Sequence, residues 1–246
     1  IQGEQDEIIR APMPGVLVVQ GGPGTGKTVV ALHRAAYLLY THRFPGAHSR
    51  SQVEGAIGLS FTKAPAQARA GQPIVLAIKV DNHRTGHKMP TGSADLRLLW
   101  LEVTARLRDR VIPVPARVKA IGGYGVVGAG EMDDVLLAGD APAGSRIYRA
   151  VFFDVDKRQT LASYDAVRIV WDNRLESGEQ RVEPYELVIP ADASGPMQVQ
   201  ARLVYQSYPT SFARRMEVAA PQPVEVAATA ATVEVIPVPD RAPKAP

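Results

Sequence analysis

The chain has 246 residues, of which 46% are hydrophobic and 22% charged, with a formal net charge of +3. This is a globular composition with room for one large or two small domains. Its Lys and Arg residues are scattered rather than clustered, which argues against a nucleic-acid surface. No apolar run reaches the ~18 residues of a membrane-spanning helix. Cysteine is absent, which excludes disulfides, thiolate nucleophiles, Cys-type zinc sites and every CxxCH haem-attachment motif within this sequence.

Residues 1–12, IQGEQDEIIRAP, are acidic and lack the charged start and apolar middle of a signal peptide. No initiator Met opens them, as in a truncated chain. Glu4–Arg10 has helical propensity, ended by Pro12 and Pro14. Gly15–Gln20 is a short apolar run of the kind buried in parallel sheets. Gly21–Thr28, GGPGTGKT, fits the phosphate-loop pattern, and Val29–Tyr40 reads as the helix that follows it. The physics is specific. Gly21, Gly22, Gly24 and Gly26, with Thr25, let backbone N–H groups curl around phosphate oxygens at a helix N-terminus. Lys27 reaches the terminal phosphates and Thr28 holds magnesium. A plain glycine-rich turn is the competing reading.

The segment IQGEQDEIIRAPMPGVLVVQGGPGTGKTVVALHRAAYLLYTHR resembles the first ATPase motifs of superfamily 1 helicase-like proteins, in particular those that recycle bacterial RNA polymerase. The resemblance covers residues 1–43. It implies ATP and magnesium at the loop, with Gln5 in the place of that family's adenine-contacting glutamine. The rest of the motor does not follow. Such enzymes need an acidic strand end and arginines from a second lobe, and the nearest imitation, Val151–Asp156, reads better as an ordinary strand running into a turn. The expectation is therefore an incomplete machine that does not turn over ATP at a useful rate.

From Gly55 onward the sequence is nearly all β. Gly71–Asp81 alternates, with Ile74, Leu76, Ile78 and Val80 on one face. Leu96–Leu107 places Leu99, Leu101, Val103, Ala105 and Leu107 together, against Trp100, Glu102, Thr104 and Arg106. Arg146–Asp154, Val167–Trp171, Val182–Ile189 and Met197–Tyr205 continue the series, with turns between them at Ala143–Gly144, Ser177–Gly178 and Ser194–Pro196. Several strands with one solvated face predict a mainly β fold: an antiparallel β-sandwich over about Val53–Val218, carrying an N-terminal strand–P-loop–helix fragment. Gly122–Gly130 lacks a following Lys and helix and reads as a flexible loop. Residues 219–246 read as a Pro/Ala-rich tail with an edge strand at Thr232–Ile236 and disorder from Pro237. Asp172, Arg174, Glu179 and Arg181 could pass for a carboxylate–arginine catalytic set, but a surface ion-pair cluster is the preferred reading.

The stretches NHRTGHKMPTGSADLRLLWLEV and WDNRLESGEQRVEPYELVIP resemble the C-terminal β domain of periplasmic multihaem c-type cytochromes. So does HRFPGAHS at His42–Ser49, and the likeness runs over roughly residues 44–236. It implies a non-catalytic electron-transfer domain in which a histidine of the G-H-x-x-P-T-G turn is an axial haem ligand. That position is His87, with His42 and His48 as weaker ligands. A neutral imidazole can bind iron through one nitrogen while the other hydrogen-bonds outward. The competing reading of His87 is a turn histidine bonded to backbone. With no CxxCH present, no haem is bound covalently by this chain. It would come from a haem-bearing partner or a missing N-terminal haem domain.

Taken together, the sequence reads as two unrelated fragments, 1–43 and 44–218 plus the tail, joined near Thr41–Phe44. A gene fusion, a mis-assembled reading frame or a deliberate chimera would each look like this. The first fragment implies the cytoplasm and the second the periplasm. The first function expected is the cytochrome-type β domain, and the alternative is an ATP-binding, helicase-like fragment.

Overall fold

The computed structural model describes residues 7, 8, 19, 27, 29–31, 33, 34, 53–92, 94–117, 125–128, 140–161 and 165–238. The chain divides into two compact units, Ile1–Ser51 and Gln52–Pro246. In the first, Glu7 and Ile8 are helical, as are Lys27, Val29–Ala31, His33 and Arg34. Val29–Ala31, His33 and Arg34 fall within the helix expected after the glycine loop, and Lys27 belongs to the end of that loop. Arg34 Nη1 donates to the Ile8 carbonyl at 2.8 Å. Val19 has no regular structure. The rest of the expected strand and the glycine loop lie outside the described residues.

The second unit is a β-sandwich. One sheet has the order β1 (Gly58–Lys63), β3 (Pro73–Asp81), β10 (Gln180–Val188). The other runs β2 (Gln67–Arg69), β12 (Val224–Ile236), β11 (Gly195–Gln206), β4 (Leu98–Leu107), β5 (Arg110–Val114), with β6 (Arg146–Tyr148) also on β4. A small third sheet has the order β8 (Gln159–Thr160), β7 (Ala150–Phe153), β9 (Arg168–Asp172). The pairings are antiparallel apart from β12 with β2. A short helix, α1 (Thr210–Arg215), follows β11 and buries Phe212 and Ala213.

Alternation sets the core. In β3 and β10, Leu76 pairs with Tyr185, Ile78 with Glu183 and Ile74 with Leu187, so these side chains share the inner face. In the facing sheet Leu101 pairs with Leu203, Val103 with Ala201 and Ala105 with Val199. Leu76, Ile78, Leu99, Leu101, Val199, Leu203, Val233 and Val235 join one buried cluster between the sheets. Each aliphatic side chain so buried contributes roughly 1.5–3 kcal/mol. On the other face of β4 a smaller cluster forms from Leu98, Trp100, Ile147, Val204 and Ala141, with Trp171 of β9 packed against it.

Two expectations are corrected. The stretch Arg146–Asp154 is two strands rather than one. The chain breaks at buried Arg149 and passes from the six-stranded sheet into the small one. The segment from residue 219 is not a tail with an edge strand at Thr232–Ile236. β12 begins at Val224, pairs along its length with β11, and is flanked at Glu234–Ile236 by β2 as well. The sandwich thus extends to Ile236. The reason lies in a bulge. Leu203 pairs with Ala227 but Val204 pairs with Glu225, which leaves Val226 as the extra residue. The inward set therefore shifts from Val224 and Val226 to Val233 and Val235, even positions to odd, and no single period-two pattern spans the strand.

Candidate functional site

β3 runs out at Asp81 into a turn, residues 82–90, that lies against the turn between β9 and β10. Gly86 (φ 67°) provides the left-handed residue the turn needs, and the Met89–Pro90 peptide is cis. Met89 and Leu175 exchange backbone hydrogen bonds of 2.8 Å in both directions. Asn82, fully buried, donates its side-chain amide to the carbonyls of His87 (2.9 Å), Glu176 (2.9 Å) and Leu175 (3.2 Å). Its backbone N–H donates to Glu179 O and its carbonyl accepts from Gly178 N–H, each at 2.9 Å. The Thr85 hydroxyl lies 2.6 Å from Asn82 Oδ1 and 2.7 Å from His87 O.

His87 is exposed on this turn. Its Nδ1 lies 3.2 Å from the Lys88 carbonyl. With the proton on Nδ1, that contact is an N–H···O=C bond and the ring's lone pair is on Nε2. His83, four residues earlier, is spoken for: its Nδ1 lies 2.9 Å from Asp81 Oδ1.

Beside His87 is a chain of ion pairs. Lys88 bonds Glu176 and lies 3.4 Å from Asp172 Oδ2. Arg174 grips Asp172 with Nε and Nη2 at 2.9 and 2.7 Å. Arg181 grips Glu179 at 2.7 and 2.9 Å and donates to Asn173 Oδ1 at 2.7 Å. The Glu176 hydrogen bond raises the Lys88 pKa, against a smaller opposing effect of burial. Burial alone would push the Asp172 and Glu179 carboxyls up, but hydrogen bonds from Arg174 and Arg181 outweigh it and hold both below the usual carboxylate range. The four residues expected as a surface cluster are thus partly buried, with side-chain exposures of 16–24%, and they brace the two turns rather than decorate them. Their carboxylates are saturated by arginines, an arrangement suited to structure rather than to acid–base exchange.

Deeper in, Glu183 is buried on the inner face. It accepts from Arg146 Nε at 3.0 Å and from the Tyr148 hydroxyl at 3.2 Å. Arg146 also donates to Gly125 O and Asn173 Oδ1, each at 3.1 Å. Tyr185 donates to Leu101 O at 2.7 Å. Burial first, and the Glu183 charge second, pushes the Tyr148 phenol well up.

The unit's fold has a counterpart among solved structures. A penta-haem cytochrome c552 from Thermochromatium tepidum superposes with a TM-score of 0.51 at 22% identity, over 78% of this chain and 43% of its own. That likeness is one of fold, and this chain spans less than half the length of that cytochrome. AvmM, which catalyses macrocyclization in alchivemycin A biosynthesis (12% identity, TM-score 0.35, 76% of this chain and 92% of that one), and a CARDB domain from Pyrococcus furiosus (10%, 0.30, 74% and 94%) are too distant to add to it. No protein-family model matches the chain, and no curated protein does. Nothing in these comparisons supports the helicase-like reading of the first 43 residues.

Of the residues singled out from sequence, His87 is brought to an exposed, braced turn, and Lys27 is an exposed helical residue. Gln5, Gly21, Gly22, Gly24, Thr25, Gly26, Thr28, His42 and His48 lie outside the described residues. Among the described residues no group of three or more His, Asp or Glu could hold a metal ion. Sequence reasoning gave no role to Asn82, Thr85, Lys88 or Glu176. Only the spacing of Asn82 and Thr85 around the glycine turn signalled local hydrogen bonding of the Asx type.

Proposed function

We propose that the unit from Gln52 onward is a non-catalytic β-sandwich of the multihaem cytochrome type, which packs on a haem-bearing electron-transfer partner or segment and offers His87 to a haem iron. One observation carries the reading: His87 is exposed on a braced turn with Nδ1 3.2 Å from the Lys88 carbonyl, so that with the proton on Nδ1 the lone pair for a ligand is on Nε2. This is the orientation in which a second hydrogen bond fixes the tautomer of a ligating imidazole. A single exposed imidazole can serve as one axial ligand of a haem iron, whereas a free metal ion needs several protein ligands. Haem supplies the electron-transfer chemistry when bound. The sandwich supplies the ligand and holds it in place. A periplasmic location goes with this reading.

The test is a titration of the full chain with a ferric haem peptide whose iron carries one histidine and an open sixth position. Conversion to a low-spin spectrum that is lost in His87→Ala supports the reading. Equal conversion by His87→Ala, or none by the native chain, overturns it.

A further inference from the structure

We infer that Asn82 is a positioning residue for His87: its buried side-chain amide, with the Thr85 hydroxyl, sets the direction in which the imidazole leaves the turn. The inference rests on the ligand reading above and adds to it the device that makes the ligand rigid. Three observations converge. Asn82 is the first residue after β3 and is itself fixed by backbone bonds at both its N–H and its carbonyl to the β9–β10 turn. It is therefore the point at which the turn is anchored to the sandwich. Its Nδ2 grips the His87 carbonyl at 2.9 Å while sharing its two hydrogens with Leu175 and Glu176 carbonyls from the opposite turn. One amide thus ties the His87 main chain to Leu175 and Glu176 of the β9–β10 turn, which are distant in sequence. Finally, the Thr85 hydroxyl, with one hydrogen to donate, lies within reach of both Asn82 Oδ1 (2.6 Å) and the His87 carbonyl (2.7 Å), and the His87 N–H faces its oxygen at 3.4 Å. The His87 backbone is held on both sides, and the ring is held at Nδ1. The His87 side chain itself remains exposed.

An exposed histidine with a free backbone would have to give up rotational freedom on meeting a haem. One held in this way has lost it already, and the difference appears as affinity. Outer residues that orient a metal ligand typically change affinity by about 10–100-fold when removed.

The experiment uses the full chain and the same ferric haem peptide, with Asn82→Ala, Thr85→Val and Thr85→Ser compared with native and His87→Ala. Affinity is read from the low-spin band, and ligand orientation from the width of the low-spin electron paramagnetic resonance lines. The inference expects Asn82→Ala and Thr85→Val to bind about 10-fold or more weakly with broadened lines, and Thr85→Ser, which keeps the hydroxyl, to match native. A merely structural Asn82 would lower the melting temperature and leave both readouts native at a temperature where the variant is folded. If Asn82→Ala does not fold, Thr85→Val decides, because it removes only the hydroxyl of a half-buried residue. Native affinity and line width in the folded variants, with binding lost in His87→Ala, overturn the inference and leave the ligand reading standing. Binding unchanged in His87→Ala overturns both.

Discussion

Replacing Glu183 by leucine tests how the sandwich tolerates a charge in its interior. Glu183 sits on the inner face of β10, its side chain 3% exposed, opposite Ile78. The substitution keeps the approximate volume but leaves two donors behind: Arg146 Nε, now 3.0 Å from nothing polar, and the Tyr148 hydroxyl, 3.2 Å away. Arg146 keeps Gly125 O and Asn173 Oδ1, so its charge is partly compensated. Hydrogen bonds to charged groups contribute about 1.5–3 kcal/mol each, and removing one member of a buried pair costs about 3–5 kcal/mol. The two estimates agree on roughly 3–4 kcal/mol for Glu183→Leu. In a domain of this size 1 kcal/mol moves the midpoint by about 2–4 °C, so the melting temperature should fall by about 10 °C. Calorimetry on native, Glu183→Leu, Arg146→Met and the double variant completes the cycle. The double variant should lose less than the two single losses combined, because neither charge is then left unpaired. A single loss under 2 °C, or a double loss equal to the sum, would refute the view that these two residues act as one buried pair.

Three further outcomes are expected. Asp172 and Glu179 have folded-state pKa values below their unfolded ones, so their contribution is present above about pH 4 and is lost as pH falls through the depressed values. Melting temperature in acid should drop less steeply in Arg174→Gln than in native protein, and identical profiles would count against the braced turns. Gly125→Ala should destabilise by roughly 2–4 kcal/mol. The residue has φ 101°, and an added Cβ would stand 2.5 Å from Arg146 Nη1 and 3.1 Å from the Trp171 ring. An unchanged urea midpoint would contradict this. Magnesium-ATP turnover by the purified chain should equal that of Lys27→Ala, since an acidic strand and finger arginines are missing from the sequence. Turnover near one per second that vanishes in the variant would reverse that expectation.

What could be read from sequence, and what could not, follows from how far each signal travels along the chain. β3, β4 and β11 were legible because one parity in each supplies the inward set: Leu76, Ile78 and Val80; Leu99, Leu101 and Val103; Met197, Val199, Ala201 and Leu203. β12 was not legible over its first half. The bulge at Val226 changes which parity faces inward, and the alanines between carry little pattern. The break at Arg149 was hidden because Tyr148, Ala150 and Phe152 continue an alternation across a change of sheet. At the site, the G-H-x-x-P-T-G turn drew attention to His87 through local residues alone. Asn82 signalled only a local Asx-type bond, because two of the carbonyls that give it a larger role belong to Leu175 and Glu176 and arrive only with the fold.

The pairing of β2 with β12 joins residues 67–69 to 234–236, one of the earliest strands to one of the last. On a ribosome this has a temporal meaning. The six-stranded sheet cannot close until its final strand has emerged, and until then β11 presents an open edge along Met197–Tyr205, the stretch with the most regular apolar alternation. Non-local closure of this kind is slow, and an uncovered edge is a template for pairing with other chains. A nascent chain therefore passes an aggregation-prone interval between the emergence of β11 and that of β12, and a stop codon placed before Val224 would make that interval permanent.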